Sequence, residues 1–204
     1  MKLKDLFENQ EYTFADWAKD NRVNLNASDF YCGRTNITSL YGAPTSIKNF
    51  FYCHRTNITS LEYAPTRVGG HFDCSNTQID SLQGAPKWVG TREEDAGICC
   101  DHTGLKSLQN IHHHIHYIGG ILAVSVCPIE SNVLGVLWIG CDEQGRPRPD
   151  GKAPTAIILD NKQVQDILNK YLEKIHSKEM TPREALIHAQ GELIDANLDE
   201  YADL

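Results

Sequence analysis

The chain is expected to fold as an α/β protein, a short parallel-strand solenoid closed by helices, and three observations carry that expectation. A phrase beginning CGRTNITSLYGAP at Cys32 returns as CHRTNITSLEYAP at Cys53 and as CSNTQIDSLQGAP at Cys74, so these copies lie 21 residues apart. Each copy opens on an alternating triplet, Phe30-Tyr31-Cys32, Phe51-Tyr52-Cys53 or Phe72-Asp73-Cys74, the period-two signature of a strand with one buried face. After the array come two segments with helix-start signals and apolar faces at helical spacing, which suit the open end of a repeat stack.

The array extends beyond these copies. A fourth, CDHTGLKSL, starts at Cys100 after 26 residues, with the extra length in the polar stretch Thr91 to Gly97. The run Glu93, Glu94 and Asp95 there reads as a solvated loop. A fifth, degraded copy starts at Val124, and the triplets Ile98-Cys99-Cys100 and Leu122-Ala123-Val124 continue the strand pattern. A period near 21 residues lies in the leucine-rich-repeat range, and the L-x-L-x-x-N-x-L skeleton of those repeats maps onto F-x-C-x-x-T-x-I here. In such coils Phe72, Cys74, Ile79 and Leu82 point inward and Pro86 fixes an extended back segment. Thr35, Thr56, Thr77 and Thr103 then form a ladder that satisfies buried loop backbone, the task Asn usually has. The pairs Gly69-Gly70 and Gly119-Gly120 permit a bend before a strand. Five stacked strands make a ridge of roughly 20 Å.

This reading divides the chain into an N-terminal helical cap (1–28), the solenoid (29–141), a loop (142–154) and a C-terminal strand with two helices capping the solenoid (155–204). Helices are expected at Lys2 to Glu8 and at Phe14 to Lys19, the second capped by Thr13 with Asp16 in its first turn. The apolar run VLGVLWI, Val133 to Ile139, is a closing strand or short helix. The segment DEQGRPRPDGKAP reads as an exposed loop and a boundary, and Thr155 to Leu159 as a short strand. Asp160 is placed to cap a helix from Asn161 to His176, with Val164, Ile167, Leu168, Tyr171, Leu172 and Ile175 on its apolar face. A second helix follows Thr181, with Pro182 first and Glu184 completing a capping box. Its apolar side is expected to be Leu186, Ile187, Ala189, Leu193 and Ile194.

Composition narrows the function classes. A net charge of -8 opposes general phosphate binding, so duplex DNA is not expected as a partner. The opening MKLKDLFENQEYTF has no apolar run of signal-peptide length, and no stretch suggests a membrane span, so a cytosolic location with free thiols is expected. In-register cysteines on parallel strands stand about 4.8 Å apart, wider than a disulfide, and lack the converging C-x-x-C spacing of a zinc site; they read as core. Cys99 faces outward beside Asp73 with no adjacent base. No nucleophile elbow, phosphate-cradling loop or H-E-x-x-H helix is present, so no catalytic residue and no cofactor is assigned. His112, His114 and His116 are weak metal candidates, since the tract lies in an expected exposed back turn and lacks an acidic companion.

What remains is the outward strand face. Alternation puts Tyr31, Tyr52 and Asp73 on it, with Phe50 and His71 one step before and Arg34, His54, Arg55 and His102 in the following turns. Aromatic and Arg side chains repeated at one phase are the usual material of protein interfaces.

The phrases SLQGAPKWVG, IHYIGG, SNVLGVLWI, LDNKQVQDILNKYL and GELIDANLDEYADL resemble the leucine-rich-repeat-like accessory proteins of large tailed bacteriophages, over most of the chain from about Phe30 onward. The HHHIH tract departs from them. The resemblance implies a viral, non-structural origin and brings no catalytic residue. Together with the strand face it leads to a first expectation: a binding module for a host protein, an inhibitor or adaptor in the host cytosol. A second is sequestration of a small anionic ligand such as a nucleotide signal by Arg34, Arg55, His54 and the tyrosines. A third is metal-assisted catalysis at the histidine tract.

Overall fold

The computed structural model describes residues 11–91, 96–142 and 144–203. The helix expected at Lys2 to Glu8 and the acidic run Glu93 to Asp95 lie outside the described residues. The remainder is a parallel-strand solenoid. One sheet, the front, contains six parallel strands: β1 (Phe30–Tyr31), β3 (Phe51–Tyr52), β5 (Phe72–Asp73), β7 (Ile98–Cys99), β9 (Ile121–Ala123) and β10 (Ala156–Ile158), in that order. The back sheet has four: β2 (Ser46–Ile47), β4 (Arg67–Val68), β6 (Trp88–Val89) and β8 (Tyr117–Ile118). Pairing is in repeat register, with Phe30 beside Phe51, Phe51 beside Phe72 and Phe72 beside Ile98.

The register stacks like on like between the sheets. Phe30, Phe51, Phe72, Ile98, Leu122 and Ile157 are all buried, as are Cys32, Cys53, Cys74 and Cys100 beside them. Phe51 lies 5.9 Å from Phe72 between ring centroids, 6.3 Å from Phe30 and 5.8 Å from Phe14. Ile37, Ile58, Ile79 and Leu105 fill the returning turns. The threonine ladder takes the expected role: Thr35, Thr56, Thr77 and Thr103 each donate through Oγ1 to the carbonyl of the cysteine three residues before, at 2.7, 2.7, 2.7 and 2.9 Å. A buried carbonyl without a donor would cost about 1–3 kcal/mol per coil. At Gly69 a Cβ would sit 1.9 Å from the Lys48 carbonyl oxygen, so the close approach of successive coils admits only glycine there.

The five coils from β1 to β9 make the same left-handed turn after the strand, at Arg34, Arg55, Asn76, His102 and Val126, with φ between 54° and 61°. In the first four the amide N–H donates to a carbonyl of the next coil. Val126 has the least suitable side chain, because a β-branched residue in this region is strained. Its N–H donates to both Asp160 carboxylate oxygens at 3.0 Å, a side chain replacing the missing carbonyl. Val126→Asn is therefore expected to raise stability by about 1 kcal/mol, read as a midpoint shift of about 2–4 °C in thermal unfolding.

Both ends are covered. Helix α1 (Phe14–Asp20) carries the Thr13–Asp16 capping box and sets Phe14 and Trp17 over the first coil, with Phe14 5.7 Å from Phe30. At the other end the run Val133 to Ile139 forms a buried 3-10 helix over Leu134–Trp138. Helix α3 (Lys162–His176) lies against β10, and its Asn169 side chain accepts from Ile157 N at 2.7 Å and donates to Ile157 O at 3.0 Å. Gln165 Oε1 accepts from Leu159 N at 3.1 Å, so the last sheet edge is capped against further pairing. Helix α4 (Pro182–Asp195) starts with the expected Thr181–Glu184 box and packs on α3 and the 3-10 helix.

Four expectations need correction. The segment 142–154 does not separate domains: Lys152 bridges in parallel to Tyr117, which places its end in the back wall, and β10 continues the front sheet from β9. The irregular length of this last coil hides the repeat. Asp160 does not cap α3, because its carboxylate is engaged at Val126; Asn161 caps it by accepting from Val164 N. Ile187 and Ile194 are exposed, since α4 buries the face of Ala185, Leu186, Ala189 and Leu193. The histidine tract is exposed only in part: helix α2 (Ile111–His114) tucks His112 beneath the closing 3-10 helix, 3% exposed, while His113 is exposed and His114 and His116 are half-buried.

Candidate functional site

Strand alternation and stacking determine the front face. Residues following each buried Phe or Ile point outward, so Tyr31, Tyr52, Asp73, Cys99, Ala123 and Ile158 form one row across the sheet. At its N-terminal end the rings associate. Tyr31 and Tyr52 lie 5.3 Å apart, Phe50 stacks on Tyr52 at 5.7 Å with planes 7° apart, and His71 stacks on Phe50 at 5.9 Å. Tyr52 meets the His54 ring edge-on at 6.3 Å. The Asp29 carboxylate accepts from Phe50 N and Asn49 Nδ2, which fixes the loop that presents Phe50. His71 Nδ1 accepts from Gly97 N at 3.3 Å, which sets its tautomer and orientation. His54 Nδ1 stands 3.3 Å from Asp73 Oδ2, within ion-pair range when protonated but out of line for a hydrogen bond.

Tyr31, Phe50, Tyr52, His54, His71 and Asp73 are thus brought together as expected from alternation. Tyr31 is 60% exposed, while Tyr52 and Phe50 are half-buried by their neighbours, so the cluster is a held surface rather than a set of free side chains. Partial burial raises the Tyr52 phenol above its ordinary pKa and keeps it neutral. Arg34 and Arg55 occupy successive left-handed turns on the rim and are exposed. His102 stands two coils beyond Arg55, with Asn76 between, and lies away from the aromatic cluster.

Of the C-terminal half of this face, sequence reasoning placed Cys99 outward but missed Ile121, Thr155 and Ile158. Cys99, Ile121, Ala123, Thr155 and Ile158 line a shallow basin of about 340 Å³ that reaches His71. Ile121 and Ile158 are 43% and 41% exposed. The signal was outward-phase isoleucine, invisible while β10 was unassigned to the sheet. Tyr41 and Tyr63 form a second unforeseen exposed pair, edge-on at 5.4 Å, where two coils repeat the same turn.

The surroundings of Cys32, Cys53, Cys99 and Cys100 disfavour the thiolate form. Burial pushes Cys32 up to about 12, and Cys53 and Cys100 are also raised well above the ordinary thiol range. Burial likewise pushes Cys99 up to about 12, and its Sγ donates to Asp101 Oδ2 at 3.3 Å. Nor do the metal candidates converge. His112 packs edge-on against Trp138 at 5.5 Å, and His116 meets Trp88 at 5.4 Å. Among the described residues no group of three or more His, Cys, Asp or Glu could hold a metal ion, and no helix is long and apolar enough to cross a membrane. Comparison of the chain with protein-family models, with curated proteins and with solved structures finds no match.

Proposed function

We propose that the protein is a non-enzymatic binding module whose front strand face engages a protein partner. The observation that carries this reading is the continuous exposed face, an aromatic cluster of Tyr31, Phe50, Tyr52 and His71 joined to the aliphatic basin at Ile121 and Ile158. Tyrosine supplies large contact area at low entropic cost, and here the rings are already ordered by stacking, so little freedom is lost on binding. Arg34 and Arg55 add guanidinium groups at the rim, where charge steers encounter and selects partners. The basin accepts an apolar side chain, the arrangement of an anchor in a pocket. The resemblance to bacteriophage repeat proteins points to a host protein, whose activity such a module would inhibit or redirect.

The test is capture from host lysate on immobilised protein, comparing the natural chain with Tyr52→Ala and Arg55→Ala. Tyr52→Ala is expected to weaken the retained partner by about 10- to 100-fold, and Arg55→Ala by less, with circular dichroism unchanged. Retention unaffected by both substitutions would place the contact surface elsewhere.

A further inference from the structure

The back sheet carries a second groove, unconnected with the face to which protein binding is ascribed. It is lined by Lys48, Arg67, Trp88, Tyr117 and Asp150, has a volume of about 430 Å³, and is floored by Gly69 and Gly90. The volume is that of a small-ligand pocket, and the chemistry is that of one: a mostly apolar wall with a few polar groups. The repeat produces it. Arg67, Trp88 and Tyr117 hold the same outward register position on β4, β6 and β8, while Gly69 and Gly90, two residues on, pass close against neighbouring backbone and add no side chain to the floor.

Because the lining residues come from successive coils, the groove has a direction along the stack. Lys48 follows β2 at one end, Arg67 comes next, the indole and phenol rings form the middle, and Asp150 lies at the far end, two residues before the Lys152 bridge to Tyr117. The Arg67 guanidinium lies 4.6 Å over the Trp88 ring, and Trp88 is braced on another side by the His116 ring edge. Tyr117 is fixed by its hydroxyl, which donates to the Thr91 carbonyl at 3.1 Å. The Trp88 Nε1–H is buried and, among the described residues, has no hydrogen-bond partner, an unmet donor beside the groove that a ligand acceptor could satisfy.

We infer that this groove binds a small elongated ligand with an anionic end, a planar middle and a hydrogen-bond-donating end, the chemistry of a mononucleotide whose base carries an exocyclic amine. The phosphate sits between Lys48 and Arg67, where a guanidinium can pair with two oxygens. The base lies against the half-buried Trp88 ring, with the largely buried Tyr117 forming only the wall beyond it, since stacking on an aromatic ring is available to any base. Asp150 accepts from the amine, and its charge excludes a second anionic group at that end.

The direct test is calorimetric titration of the full chain with adenosine 5′-monophosphate, adenosine and inorganic phosphate. Saturable binding of the monophosphate is expected, with adenosine and phosphate each weaker by roughly tenfold or more, because each lacks one of the two contacts. Arg67→Ala and Trp88→Ala should each lower the affinity by at least about tenfold. Arg67 is exposed, so its variant keeps the fold even if Trp88→Ala does not. Tyr52→Ala should leave this titration unchanged, which separates the groove from the front face. A flat titration, phosphate binding as tightly as the nucleotide, or unaltered affinity in Arg67→Ala would each overturn the inference.

Discussion

Phe51→Ala is expected to destabilise the protein by about 3–5 kcal/mol, as deep phenylalanine truncations do when surrounding rings cannot close the void. Phe51 is 0% exposed and is hemmed by Phe14, Phe30 and Phe72, three rings belonging to the cap and to both neighbouring coils. Each of these is fixed by its own strand or helix, so relaxation into the cavity would break the register of the stack. Repeat stability is mainly the sum of nearest-neighbour interfaces, and this residue lies in two of them. Chemical denaturation of Phe51→Ala beside Tyr31→Ala is the appropriate measurement. Tyr31 projects from the paired strand in the opposite direction, and its truncation should cost under about 1 kcal/mol. Equal losses would mean that the strand faces are not buried and exposed as described.

The second large effect is a loss of stability in mild acid. His112 sits beneath the closing 3-10 helix against Trp138, and burial, reinforced by His113, His114 and Arg148, lowers its pKa to about 4. The unfolded chain has the ordinary value near 6.5, so between about pH 6.5 and 4 it binds a proton that the folded chain does not. The neutral-histidine contribution is therefore complete above pH 6.5 and lost as pH falls through that window, reaching about 3 kcal/mol at its lower end. His114 and His116 are also lowered, chiefly by burial, and act in the same direction. Urea unfolding as a function of pH should show this slope, and His112→Leu should flatten it at neutral-pH stability close to that of the natural chain. A slope unchanged in His112→Leu would assign the acid sensitivity to other groups.

The legible part of the chain is the part governed by short-range rules. Alternation at Phe51-Tyr52-Cys53 was sufficient to place one side chain in the core, the next on the outer face and the third back in the core. Threonine in the place of asparagine was readable because only one task, satisfying a carbonyl three residues back, is open at that position. Thr13 and Thr181 announced their helices through local capping chemistry. What escaped depended on tertiary choice. Asp160 could cap a helix or serve a stranded amide, and the strained turn at Val126 took it. Ile187 and Ile194 fit a helical stripe, but the docking angle of α4 favoured the smaller Ala185 and Ala189. The last strand lay in a coil of unequal length, so its Ile158 could not be added to the front face by counting. His112 reads as polar, and only packing beneath Trp138 makes it a core residue.

The role of the front face is tested most directly by amide hydrogen exchange on the protein with and without its captured partner. Protection is predicted in the segments bearing the aromatic cluster and basin, residues 29–34, 49–55, 71–73 and 120–123, with the back strands and α4 exchanging as in the free chain. Protection confined to the closing helices or to the back sheet, with the front strands unchanged, would contradict it.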